Sequence, residues 1–267
     1  MKLDISCSIA LAFVCLLAGC AAPTIRFPSS PVAGSVMLSG YLYRPEGAGP
    51  FPAMVLLHTC GGLRRHVLDW GRWLKSEGYA ALAVDSFSPR GTVNVCGRGG
   101  SPSAREVALD AFGALDYLRS LPFVDPERIG VMGWSYGATA ALQASSELTI
   151  ESLKPKGGGF RVAVAFYPDC DAFGYAPGIP VLLLLAEADD WTPPLLCVRY
   201  AEQFRRGGRT VLWKVYPGAD HSFDEPAHGF AGIRYLGHTL KYDPAVTATA
   251  EKDLRTFLAQ YLRGSRP

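Results

Sequence analysis

Short, nearly continuous apolar runs alternating with helix-period segments leave this chain few ways to fold. The runs at 53–58 (AMVLLH), 79–85 (YAALAVD), 161–166 (RVAVAF) and 180–186 (PVLLLLA) lack the polar side of a half-exposed strand. Strands of this kind are covered on both faces, as parallel strands are in an α/β sheet. Further strands are expected at 35–43, 128–133 and 210–216, and helices at 63–76, 102–120, 136–147, 194–206 and 245–262. No repeat or break in composition divides the pattern. One α/β domain over residues 35–267 is therefore expected, with a mostly parallel central sheet and helices on both faces. Ligands bind such sheets beyond the carboxyl ends of the strands, so the residues that follow each run are the ones to read for chemistry.

Composition narrows the class. Of 267 residues, 49% are hydrophobic and 19% charged, which excludes a disordered or collagen-like chain. The 26 Lys and Arg nearly cancel the 24 Asp and Glu, and no long run of one sign appears. Nucleic acid is not an expected partner, because its binders concentrate basic charge on one face.

The N-terminus reads MKLDISCSIALAFVCLLAGC. Lys2 precedes an apolar stretch, 5–19, that is shorter than a membrane span of about 20 residues but suits a secretory signal. Leu17-Ala18-Gly19-Cys20 resembles the lipobox of bacterial lipoproteins. That resemblance implies removal of 1–19, a diacylglycerol on the Cys20 sulfur and a membrane anchor; Ala21 implies the outer membrane, facing the periplasm. A plain signal peptide cut near Ala21 or Ala22 is the alternative. Residues 20–34, rich in Pro, Ser and small side chains, read as a tether. Four cysteines then remain, Cys60, Cys96, Cys170 and Cys197, and an exported chain permits two disulfides among them in three connectivities. Four buried free thiols are the alternative.

Strand 128–133 runs directly into Gly133-Trp134-Ser135-Tyr136-Gly137 and then a small-residue helix. This is G-x-S-x-G in the strand–turn–helix setting that projects a serine hydroxyl from a sharp turn. Ser135 is the candidate nucleophile, and a serine at neutral pH needs an imidazole base oriented by a carboxylate. Of five histidines, His221 follows the last expected strand; His228, in the same region, is its rival. His66 falls in a helical pattern and reads as a surface residue, His238 has no strand-end context, and His58 reads as a buried structural imidazole. The carboxylate is expected after 180–186, where Glu187, Asp189 and Asp190 crowd one turn and spacing does not choose between them. Trp134, Tyr136, Phe87 and Trp191 flank these strand ends as pocket or core aromatics. Residues 224–244 either cap the site or pack against the body.

Five segments in order, HTCGG at 58–62, DSFSPRG at 85–91, GWSYG at 133–137, AEADDWTPP at 186–194 and YPGADHSFD at 216–224, resemble the α/β-hydrolase superfamily and, within it, the dienelactone hydrolase family. The resemblance implies an α/β-hydrolase fold and oxyanion donors from the backbone N–H groups of Cys60 and Tyr136. The family's acid stands three residues after a small residue that ends its strand. Ala186 takes that position, so Asp189 matches, with Asp190 next. The enzymes that name the family carry a cysteine nucleophile, whereas position 135 is serine, which points to a more general esterase. Family members hold a substrate carboxylate with arginine; Arg90 is the candidate for that role, and Trp134 and Trp191 are further candidates for substrate contact. The implied activity is hydrolysis of small carboxylic esters or lactones through an acyl-enzyme on Ser135, His221 and Asp189, without cofactor or metal. Peptidase or acyltransferase chemistry on the same scaffold, or a non-catalytic ligand-binding lipoprotein, are the alternatives.

Overall fold

The computed structural model describes residues 24–30, 36–97, 100–171 and 176–263. The expected signal sequence and Cys20 lie outside them. Eight strands form one sheet: β1 (Thr24–Pro28), β2 (Met37–Tyr43), β3 (Phe51–Leu57), β4 (Ala80–Asp85), β5 (Val124–Trp134), β6 (Ala163–Phe166), β7 (Val181–Ala186) and β8 (Val211–Tyr216). Their spatial order is β1-β2-β4-β3-β5-β6-β7-β8. Pairings of β1 with β2 and of β2 with β4 are antiparallel, and every pairing from β4 to β8 is parallel.

The apolar runs work as expected for strands covered on both sides. Along β3, Ala53, Val55 and Leu57 belong to one core and Met54 and Leu56 to the other. Helices α2 (Ala104–Arg119), α3 (Tyr136–Ser145) and α5 (Pro194–Arg206) cover the first face, and α1 (Arg65–Ser76) and α6 (Pro244–Leu258) the second. The expected helix at 136–147 ends instead at Ser145; Ser146 then caps a separate α4 (Glu147–Leu153), its side chain accepting from Thr149 N–H. A π-helical turn, Ala259–Arg263, follows α6.

The described part of the expected tether, Thr24–Ser30, is not a tether: Thr24–Pro28 is the edge strand β1. Phe27 is buried and packs on Tyr117 with ring centroids 5.5 Å apart. Gly113 on α2 has no side chain where a Cβ would stand 2.3 Å from the Pro28 carbonyl oxygen, so the helix lies directly on the segment. Three prolines and two serines within 20–34 hid a strand that pairs only along one edge, where missing N–H donors cost little.

The cysteines pair as Cys60–Cys96 and Cys170–Cys197. Past β8, a small hairpin of β9 (Ile233–Tyr235) and β10 (His238–Leu240) turns through Leu236 and Gly237, both at positive φ. That is the turn geometry matching the twist of a two-residue hairpin.

Candidate active site

Strand β5 delivers Ser135 into a conformation that few non-glycine residues adopt, φ 51°, ψ −115°. Two glycines hold it there. A Cβ on Gly133 would stand 2.1 Å from the Gly137 carbonyl oxygen, and one on Gly137 would stand 2.2 Å from that of Leu57. The strand, the turn and α3 therefore pack with no room for a side chain at either position. Ser135 N–H donates to the Phe166 carbonyl at 2.9 Å, fixing the turn to β6. Strain of this kind persists only where the surroundings over-determine it.

His221 lies five residues beyond β8, and Asp189 three beyond β7. His221 Nε2 is 3.1 Å from Ser135 Oγ, and His221 Nδ1 is 2.7 Å from Asp189 Oδ2. The tautomer with its proton on Nδ1 satisfies both contacts. Asp189 is buried and accepts at Oδ1 from the N–H groups of Trp191 (2.9 Å) and Thr192 (2.8 Å). Thr192 Oγ1 stands 2.9 Å from Asp189 Oδ2 and 3.1 Å from the Tyr167 carbonyl. The imidazole is itself boxed in, with the rings of Tyr167 and Trp191 at 4.7 and 5.2 Å.

Asp190 faces the other way. It accepts from Thr239 N–H at 3.0 Å and pairs with Arg234 at 3.3 Å, and its carbonyl accepts from His238 Nδ1 at 2.9 Å. Asp190 is thus the anchor of the β9–β10 hairpin.

Tyr136 opens α3, where the first N–H groups have no carbonyl one turn back, while its side-chain hydroxyl is spent on the Pro102 carbonyl at 2.7 Å. Cys60 sits in the loop after β3, beside the cavity that Ser135 opens into. His58 is buried, with Nδ1 2.8 Å from the Thr59 carbonyl and Nε2 accepting from Ser86 N–H at 3.3 Å. Burial pushes its pKa down, so it serves as a neutral brace.

The cavity holds about 560 Å³. Trp191, Tyr235, Ile233 and Leu240 form an apolar wall, and Arg64, Arg65, His66, Glu225 and His228 a polar one. The hairpin after β8 supplies most of the first wall, so it caps the site, while Asp224 at the start of the 224–244 segment packs into the body.

Three sequence expectations are corrected. Arg90 is not a substrate arginine: its guanidinium grips both carboxylate oxygens of buried Asp110 at 2.8 Å and the Ser86 carbonyl at 2.7 Å. Trp134 and Phe87 do not line the pocket. Trp134 is fully buried and stacked on Phe166 at 5.6 Å, and Phe87 packs edgewise on His58 at 4.4 Å. His66 is not a surface residue, being only 3% exposed. Its Nδ1 is 3.2 Å from Glu225 and its Nε2 is 3.4 Å from Asp224, an ion-pair contact without hydrogen-bond alignment. Burial alone would lower its pKa, but the two carboxylates hold it above the ordinary value. Asp224 also accepts from Trp70 Nε1 at 2.7 Å and from the Tyr167 hydroxyl, so this buried centre props the ring beneath His221.

His228, the rival base, lines the polar wall and has its pKa pushed down to about 4, chiefly by burial and then by His66. Ser135 instead has His221 within hydrogen-bond reach. Among the described residues no cluster of His, Cys, Asp and Glu is arranged to hold a metal ion.

Sequence reasoning missed Thr192, Tyr167, Arg64, Arg65 and Asn94. A readable signal existed for Thr192, since Asp followed three residues later by Thr is a pattern that folds back on its own backbone. For Tyr167 none existed, as its partner Asp224 lies 57 residues away.

The sequence model of the dienelactone hydrolase family matches residues 38–262. The chain belongs to the dienelactone hydrolase family. Membership places it among the ester and lactone hydrolases. A relative in Bradyrhizobium, described as a probable 2-oxo-3-(5-oxofuran-2-ylidene)propanoate lactonase, is 24% identical over 204 residues, covering 69% of this chain and 78% of its own. A dienelactone hydrolase-like promiscuous phosphotriesterase from metagenomic libraries superposes with a TM-score of 0.70 at 22% identity, over 90% of this chain and 99% of its own. A thermophilic esterase of Thermogutta terrifontis does so at 0.64 and 19%, over 90% and 94%. These likenesses establish the α/β-hydrolase fold.

Proposed function

We propose that this family member cleaves carboxylic esters or lactones through an acyl-enzyme formed on Ser135. Ser135 Oγ attacks the carbonyl carbon while His221 Nε2 takes its proton. The Asp189 carboxylate, held by its own loop, keeps the imidazole in the productive tautomer and stabilises the imidazolium. The N–H groups of Cys60 and Tyr136 receive the tetrahedral oxyanion. His221 returns the proton to the leaving alkoxide, and water repeats the cycle to free the acid. For a lactone the alkoxide remains tethered to the acyl group, so ring opening and hydrolysis give one hydroxy acid.

The observation that carries this reading is the unbroken contact from Ser135 Oγ through both ring nitrogens of His221 to Asp189, at 3.1 and 2.7 Å, at the floor of a cavity. The arginines of the polar wall, Arg64 and Arg65, favour substrates with a negative end. Turnover of a panel of aryl and alkyl esters and lactones, neutral and carboxylate-bearing, tests the reading against amides and against alcohol acceptors. Ester or lactone hydrolysis that vanishes in Ser135→Ala supports it. Preferred amide cleavage would make the protein a peptidase, and preferred transfer to alcohols an acyltransferase. We also propose that Cys20 is the lipidated N-terminus of a protein anchored in the outer membrane and facing the periplasm. Mass spectrometry of the natively expressed protein tests this, and an unmodified N-terminus at Ala21 or Ala22 would refute it.

A further inference from the structure

Two loops that line the cavity beside Ser135 are joined by one covalent bond. Cys60 is joined to Cys96, 36 residues further on, and both line the catalytic cavity. Around that bond two irregular loops are locked together. Val95 N–H donates to the Cys60 carbonyl at 2.9 Å. Gly62, at φ +84°, lies so close to the second loop that a Cβ there would stand 2.5 Å from the Val93 carbonyl oxygen. The second loop in turn carries the hairpin. Asn94, fixed by the Cys96 N–H at 2.8 Å, donates from Nδ2 to the Tyr235 hydroxyl at 3.1 Å. Leu236, at the hairpin turn, fills the space beside Gly97, where a Cβ would stand 2.9 Å from Leu236 Cδ1.

The second disulfide is placed differently. Cys170 and Cys197 tie the exit of β6 to α5 within the hydrophobic core, away from the cavity lining. One bond thus sits in the packing of the body, the other between the loop bearing an oxyanion N–H and the loop holding the cap.

We propose that the Cys60–Cys96 disulfide is a positioning element of the active site, holding the Cys60 N–H and the β9–β10 cap in register with Ser135. The proposal rests on the Ser135 hydrolase reading. Opening the bond frees the Cys60 loop from all but its hydrogen bonds, and the oxyanion donor drifts. A dithiol can do this: it delivers two electrons and two protons, leaves two protein thiols and is itself oxidised to a disulfide. Partly exposed Cys60 offers such a reagent one accessible sulfur although Cys96 is buried, whereas Cys170 and Cys197 are both buried.

The test compares two double variants of the full chain, Cys60→Ser with Cys96→Ser and Cys170→Ser with Cys197→Ser. The readouts are kcat and KM for a small acetate ester, affinity for a phenylboronate as tetrahedral mimic, and Tm. Complete loss of one oxyanion donor costs about 10²–10³ in kcat, so misplacement should cost roughly 10- to 100-fold. The Cys60/Cys96 variant is expected to lose that much kcat with KM changed less than about threefold, and to lose boronate affinity in parallel. The Cys170/Cys197 variant is expected to lose Tm and keep kcat. If the Cys60/Cys96 variant does not fold, mild dithiol reduction of the folded wild type, with thiols mapped, must reproduce the kcat loss. Wild-type kcat after either opening, or the same Tm-only effect in both variants, would overturn the proposal while Ser135-dependent turnover stands. Absence of turnover and of Ser135 reactivity in the wild type itself would instead remove the hydrolase reading and the proposal with it.

Discussion

Two adjacent aspartates follow β7, and the structure gives them separate work that substitution can read. Asp189 is buried under three hydrogen-bond donors and touches His221 at 2.7 Å. In enzymes with a serine–histidine–carboxylate arrangement, loss of the carboxylate costs about 10⁴-fold in kcat, or about 5.5 kcal/mol of transition-state stabilisation. Asp190 is solvent-exposed and acts through the hairpin, at 3.0 Å to Thr239 N–H and 3.3 Å to Arg234. Exposed pairs are worth about 0–1 kcal/mol, so loosening the cap should cost less than about tenfold. Asp189→Ala and Asp190→Ala should therefore differ by about 10³ in kcat/KM. Initial rates on a chromogenic acetate ester, with circular dichroism confirming that both variants are folded, measure the difference. Equal losses, or a larger loss from Asp190→Ala, would refute the assignment of the acid and with it the role of the loop that carries it.

Two further substitutions test residues outside the Ser135–His221–Asp189 contact. Arg90→Met leaves Asp110 buried without its partner and should lower stability by about 3 kcal/mol, with kcat/KM of the folded protein unchanged within about threefold for neutral and anionic esters alike. A selective loss on anionic esters would return Arg90 to a substrate role. His228, pushed down to about 4 from an ordinary 6.5, binds its proton more readily in the unfolded chain. Between those pH values the unfolded state carries the extra proton, so His228 makes stability fall as pH falls. His228→Gln should flatten that part of the denaturation-midpoint profile; an unchanged slope would show that His228 is not buried as described.

Most of the frame was legible because parallel strands covered on both faces announce themselves as unbroken apolar runs. The arrangement of the candidate site was legible where it depends on local geometry: two glycines around Ser135 that no other residue can replace, and a carboxylate and a histidine each placed just past a strand end. What escaped depends on partners far apart in the chain. Arg90 looked free until α2 brought Asp110 beneath it, and His66 looked like one more polar helix residue until Asp224 and Glu225 closed over it. The cap was hidden for another reason: strands of three residues carry too little periodicity to read, and the hairpin is held by Asp190 and Asn94 from outside. β1 was masked by the proline that ends it, which an edge strand tolerates, and by the serines that follow.

The central claim is that Ser135 is an activated nucleophile with His221 as its base. Intact-mass and peptide mapping after reaction with a fluorophosphonate tests it most directly. The wild-type protein should take up one equivalent at Ser135, and folded His221→Ala should take up essentially none on the same timescale. A folded wild-type protein that stays unlabelled, or labels at another residue, would contradict the claim.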